Sequence, residues 1–116
     1  IYVMFSKLRL IVTGISGEEF LSTGQHLDVA HLLRLSIELA RMLNILESYN
    51  IVHNNLKPSC FMIREDPLTV HLLDLSLART FDYMPRSTSP IGTLHYLSPE
   101  QTGRLDACAD YRSDLY

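Results

Sequence analysis

The sequence predicts an α+β domain, and three observations predict it. One strong amphipathic helix is written into residues 27–49, where apolar side chains recur at three- and four-residue spacing. Short β-branched and aromatic runs lie on either side, Ile1–Phe5 and Leu8–Val12 before it, Phe61–Ile63 and Val70–Leu73 after it. Between the last two runs, Arg64-Glu65-Asp66-Pro67 has the turn chemistry of a small hairpin.

Composition sets the outer bounds. With 47% hydrophobic and 20% charged residues and a net charge of -3, the chain offers no basic surface for nucleic acid or an anionic membrane. No run of about 18 apolar residues could span a bilayer, and neither terminus resembles a signal peptide. Cys60 and Cys108 lie too far apart for zinc-module spacing and are too few for a disulfide framework, so free thiols in the reducing cytoplasm are expected. The chain starts at Ile1 without an initiator Met and reaches Tyr116 without a helix-stopping signal, and it reads as a piece of something larger.

In order, Ile1–Phe5 is long enough for one buried strand, and Leu8–Val12 for a second. Gly14-Ile15-Ser16-Gly17 tempts as a phosphate cradle, yet it lacks the Lys-Ser/Thr of a P-loop and no clear helix follows. A loop between elements is the better reading there. The helix over 27–49 takes Asp28 as its N-cap. Leu32, Leu35, Leu39, Met42 or Leu43, and Leu46 form its stripe, widened by Leu33, Ile37, Ala40 and Ile45, so substantial burial is expected. Arg34, Glu38 and Arg41 mark a solvated face, and Asn50 can take the left-handed position after the last turn. Ile51-Val52 suffices for a bridge only. Thr80–Ile91, rich in Ser, Thr and Pro, predicts a mobile surface segment.

Four motifs then follow in sequence. His53-Asn54-Asn55-Leu56-Lys57-Pro58-Ser59-Cys60 resembles the catalytic loop of protein kinases, H-R-D-L-x-x-x-N, within the stretch 51–60. Asp74-Leu75-Ser76 resembles the D-F-G metal loop. Gly92-Thr93-Leu94-His95-Tyr96-Leu97-Ser98-Pro99-Glu100 resembles the end of the activation segment, which would span 74–100. Asp110–Tyr116 resembles the start of the long central helix of the C-lobe. The resemblance implies a fragment of a kinase-like fold covering the hinge region, at Ile1–Phe5, and the first half of the mainly helical C-lobe. Ser6–Gln25 would connect the two. A narrower resemblance, carried by Ser98–Leu105 and Asp110–Tyr116, is to the kinase-like domain at the N-terminal end of hybrid sensor histidine kinases. It implies partners among other domains of the same parent chain.

What the resemblance implies about chemistry depends on the substitutions. Asn55 stands at the catalytic Asp position and Cys60 at the metal-binding Asn position, while Lys57 and Asp74 are retained to meet phosphate and Mg²⁺. Asn has the size of Asp without its charge, so Asn55 can orient a hydroxyl and cannot accept its proton. Thiols are poor ligands for Mg²⁺, which prefers oxygen. Ser76 in place of Gly restricts the backbone of the metal loop. His53, Thr93, Glu100 and Asp114 fall at structural positions, His53 packing against the metal loop, Thr93 toward the catalytic loop and Asp114 bracing it. Asn54, at the Arg position, cannot pair with a phosphate, so activation through Ser87, Thr88 or Ser89 is not expected and a solvated polar loop is the plainer reading.

The implied function is therefore a pseudokinase that binds ATP with or without Mg²⁺ and acts in signalling. The alternative is an active Ser/Thr protein kinase using Lys57 and Asp74, and a third is an interaction module that binds no nucleotide. Other chemistries lack support. His53, Cys60, His71, His95 and Cys108 have no ligand spacing for zinc, and no G-x-S-x-G elbow exists for a hydrolase.

Overall fold

Asp28 starts the longest element. Its carboxylate accepts from the His31 backbone N–H at 2.6 Å and its carbonyl from that of Leu32 at 3.0 Å, which relieves the unpaired donors of a first turn. In this computed structural model, which describes residues 14–24, 27–83, 90–105 and 107–116, the helix runs Val29–Ser48 and is α2 of the fold. Beyond it, Asn50 takes the left-handed conformation at φ 58° and donates its N–H to the Glu47 carbonyl at 2.8 Å.

The chain divides into two units, the first made of Ile1–Met42 and Pro58–Asp74, the second of Leu43–Lys57 and Leu75–Tyr116. In the first unit, strand β1 (Ile15–Ser16) leads directly into helix α1 (Gly17–Ser22). The sequence reading of a loop over 14–17 is thus corrected. Ser16 caps α1, accepting from the Glu19 N–H at 3.1 Å, and Glu18 and Glu19 place negative charge in the first turn where the helix dipole favours it. Gly17 opens α1 because a Cβ there would lie 2.5 Å from the Pro58 carbonyl oxygen, against which the helix start is packed.

The hairpin is built from β3 (Phe61–Glu65) and β4 (Leu68–Leu72), paired antiparallel from Phe61↔Leu72 to Glu65↔Leu68 around a cis Asp66–Pro67 turn. β1 joins the free edge of β3 with Ile15↔Ile63 and Ser16↔Met62, which gives a three-stranded sheet in the order β1-β3-β4. Phe20 of α1, Leu35 of α2 and Ile63 of β3 form the buried core, with Ile15, Leu27, Leu39, Leu68 and Val70 packed around it.

α2 is less covered than its composition suggests. Leu35 and Leu46 are buried, but Leu32, Leu33, Ile37 and Ile45 keep 50%, 57%, 50% and 56% of their surface exposed. The expectation of a substantially buried helix is corrected. Among the described residues, Leu35 and Leu39, four apart, meet the core, while Leu32 of the stripe and Leu33, Ile37 and Ile45 that widen it stay at least half exposed.

In the second unit, β2 (Ile51–Val52) pairs antiparallel with β5 (Arg79–Thr80). The Phe81 N–H donates to the Asn50 carbonyl at 2.9 Å, and the Asn50 side-chain amide donates to Asp82 at 3.0 Å, which extends this pairing into a 3-10 turn at Phe81–Tyr83. Thr80 to Tyr83 therefore belong to structured elements, where the sequence suggested only a surface segment. Further 3-10 turns lie at Leu94–Tyr96 and Tyr111–Leu115. The latter stands where an α-helix start was expected. Asp110 caps it, accepting from the Arg112 N–H at 2.8 Å, while the Ser113 hydroxyl accepts from the Asp110 N–H at 3.2 Å. The strand readings at Ile1–Phe5 and Leu8–Val12, the hinge at Ile1–Phe5, Gln25 and residues 84–89 lie outside the described residues.

Candidate functional site

β2 delivers His53, Asn54 and Asn55 in succession. His53 and Asn54 are buried, and their backbone N–H groups both donate to one carboxylate, to Asp114 Oδ2 at 2.7 Å and Oδ1 at 3.0 Å. The capped 3-10 turn at Tyr111–Leu115 presents that carboxylate. Burial pushes the Asp114 carboxyl above its ordinary range, although the two backbone N–H groups and the nearby His53 pull it down. Asn54 sits at φ 68°, a left-handed conformation that Asn tolerates better than most residues. Its side-chain amide donates inward, to the carbonyls of Val52 at 3.2 Å and Leu77 at 3.1 Å.

Asn55 follows, its N–H donating to His53 Nδ1 at 3.3 Å. Its side-chain oxygen accepts from the Thr93 hydroxyl at 2.8 Å, and that hydroxyl oxygen accepts from Lys57 Nζ at 3.2 Å. Lys57, Thr93 and Asn55 thus form one relay in which the cation is two hydrogen bonds from a neutral amide. Such chains polarise in the same sense, each donor strengthened by the one before it. Gly92 brings Thr93 into place. At φ 129°, it holds a conformation suited to glycine, and a Cβ would stand 2.7 Å from both the Asn54 carbonyl oxygen and Leu97 Cδ2.

Glu100 accepts a short hydrogen bond from the Ser113 hydroxyl. Burial pushes its carboxyl up, but the hydrogen bonds from Ser113, its own backbone and Ser98 outweigh this and leave it below the ordinary carboxylate range. Asp110 is likewise lowered, chiefly by the Arg112 guanidinium, which donates to it through Nε and Nη2 at 2.6–3.1 Å.

Gln101 lies inside the Ser98–Leu105 segment but had no role assigned from the sequence. Its side-chain amide donates to the Asn54 carbonyl at 2.9 Å and its oxygen accepts from the N–H and hydroxyl of Ser98. A lone Gln in a polar stretch has no spacing to give it away. The only signal was its place directly after Ser98-Pro99-Glu100.

The remaining predicted residues lie in the first unit. Cys60 ends the 3-10 turn Pro58–Cys60 and is 1% exposed, its carbonyl accepting from the Leu73 N–H at 2.8 Å. Asp74 is half-buried. Among the described residues, no three His, Cys, Asp or Glu side chains group to hold a metal ion. Asp74 carries the oxygen donors that Mg²⁺ prefers. Cys60, a thiol, does not fit as a second ligand. No helix among the described residues is long and apolar enough to cross a membrane.

Comparison with known proteins bears on the whole arrangement. The protein kinase domain model matches residues 6–116. A probable serine/threonine-protein kinase of Streptomyces coelicolor is 32% identical over 109 residues, covering 90% of this chain and 16% of its own length. A probable serine/threonine-protein kinase of Clostridium perfringens is 30% identical over 86 residues, covering 72% of this chain and 12% of its own length. Serine/threonine-protein kinase PknB of Mycolicibacterium smegmatis is 28% identical over 109 residues, 90% of this chain and 17% of its own length. The chain spans less than a fifth of the length of these relatives. By this match over nearly its full length, the chain belongs to the protein kinase domain family.

Proposed function

We propose that the chain is part of a pseudokinase domain, its hinge and the first half of its C-lobe, that binds nucleotide and serves a signalling role. The observation that carries this reading is the hydrogen bond that Asn55 receives from Thr93 at 2.8 Å. The oxygen at the catalytic-Asp position belongs to a neutral amide, already accepting, with no basicity to take a proton from an attacking hydroxyl. General acid–base assistance contributes ~10²–10⁴-fold, so its loss cripples transfer without preventing a phosphate from meeting Lys57. ATP is the expected ligand, with Asp74 and Mg²⁺ assisting. Ser98–Leu105 and Asp110–Tyr116 support placement in a hybrid sensor histidine kinase, whose other domains would be the partners.

The active Ser/Thr kinase is the second reading. The relay of Lys57 and Thr93 favours it, as do relatives whose names describe serine/threonine-protein kinases. The deciding experiment is thermal shift of the full-length protein with ATP, with and without Mg²⁺, since a ligand bound only to the folded state stabilises it by mass action. Stabilisation by ATP with negligible phosphotransfer, and a gain of ~10²–10⁴-fold in transfer for Asn55→Asp, is the expected result. No stabilisation at saturating ATP would sink nucleotide binding, and robust transfer by the unaltered protein would make it an enzyme.

A further inference from the structure

Two features of the structure meet at the carbonyl oxygen of Asn54. Gln101 Nε2 donates to it at 2.9 Å, and Gly92 passes so close that a Cβ would lie 2.7 Å away. At its other end, the Gln101 oxygen accepts from the Ser98 N–H at 3.0 Å and from the Ser98 hydroxyl at 3.1 Å. Ser98 is 1% exposed, so this end is fixed in the interior. Both ends of one side-chain amide are therefore committed, the donor to the peptide that carries Asn55 and the acceptor to the chain just before Pro99.

The opposite flank of Asn54 is fixed as well, since its N–H donates to Asp114 at 3.0 Å. A left-handed residue such as Asn54, at φ 68°, persists when its surroundings over-determine it. Here a carboxylate holds the peptide before it and Gln101 the peptide after it. The side chain at 54 is a neutral amide that donates to the Val52 and Leu77 carbonyls.

We propose that Gln101 is a positioning residue. It registers the chain at Ser98 against the Asn54–Asn55 peptide, and so sets where the Asn55 oxygen meets the Thr93 hydroxyl, with no phosphate in the link. The inference rests on the reading of Asn55 as the altered catalytic position. Its test needs no nucleotide, so the two stand or fall separately.

The test is NMR of the full-length protein with ¹³C/¹⁵N-labelled Asn, Gln and Ser, comparing the unaltered chain with Gln101→Glu and Gln101→Met. Glu keeps the acceptor and loses the donor; Met loses both. A carbonyl that loses its hydrogen bond moves upfield together with the nitrogen that follows it. Gln101→Glu should therefore shift the Asn54 carbonyl carbon and Asn55 nitrogen while leaving the Ser98 amide in place, and Gln101→Met should shift all three. Phosphatase treatment of the unaltered protein should move none of them. Unchanged Asn54 and Asn55 resonances in Gln101→Glu would overturn the proposal, as would their displacement by phosphatase. Should both variants fail to fold, solvent exchange of the Gln101 side-chain protons in the unaltered protein decides. Protection is expected, and exchange at the rate of free glutamine would overturn it.

Discussion

At the scale of single residues, Asp114 concentrates most of what holds the candidate site. One carboxylate takes two successive backbone N–H groups, and removing it leaves both donors in a part-buried setting without acceptors. A buried donor left unpaired costs about 1–3 kcal/mol, so Asp114→Ala should lower the stability of the full-length protein by at least that much. The pH dependence has a definite sign. Because burial raises the Asp114 carboxyl in the fold, the folded state holds this proton more tightly than the unfolded state. Stability from this group is thus greatest below the ordinary value of 3.8 and declines as pH rises from there through the raised folded value. Asp110 and Glu100 act oppositely, their lowered carboxyls contributing stability that is lost as pH falls through their folded values. Melting Asp114→Ala beside the unaltered protein cancels those two, and the gap between the curves should narrow with rising pH across the Asp114 window. A gap that widens would contradict the assigned shift. The sequence made His53, Asn55, Lys57, Thr93, Glu100 and Asp114 visible because each occupies a fixed place in a motif. Gln101 was not legible, since its partner is a backbone carbonyl 47 residues away and carbonyls carry no residue code.

At the scale of elements, α2 separates what periodicity tells from what it cannot. Spacing of three and four located the helix, and the Asp28 carboxylate and left-handed Asn50 stand at its two ends. Loss of a side-chain N-cap costs typically about 1 kcal/mol, which is the destabilisation expected for Asp28→Ala. Two leucines on the same helix make a sharper test. Leu35→Ala empties a site in the core shared with Phe20 and Ile63 and should cost about 2–5 kcal/mol, whereas Leu33→Ala, more than half exposed, should stay within about 0.5 kcal/mol. Denaturant unfolding of the full-length protein distinguishes them. Equal costs would mean that Leu33 is covered in solution. Periodicity could not foresee which apolar residues find a neighbour, because that depends on where the hairpin lands. Nor could it find α1, whose six residues are too few to show a period. Its signal was local instead, a Ser16 three residues before Glu19, the spacing of a capping box. At Tyr111–Leu115 the cap was equally local, made by Asp110 and Ser113 three residues apart.

For the molecule as a whole, the composition of its surface carries the last prediction. In the first unit, Leu32, Leu33 and Ile37 are at least half exposed along one helix; in the second, Leu105, Leu115 and Tyr116 are exposed by 52%, 69% and 75%. Single exposed leucines are ordinary, but contiguous apolar patches beyond a few hundred Å² are rare on soluble monomers and mark surfaces that something else covers. Full burial of a leucine or isoleucine supplies roughly 1.5–3 kcal/mol, and each half-exposed one forgoes about half of that. That shortfall weighs heavily against a net stability of only about 5–15 kcal/mol for an ordinary domain. The 116 residues expressed alone should therefore bind the apolar dye ANS, melt broadly and self-associate. A sharp, concentration-independent melt of the isolated chain without dye binding would show that the two units need nothing more to be stable. The exposed leucines would then be surface rather than interface.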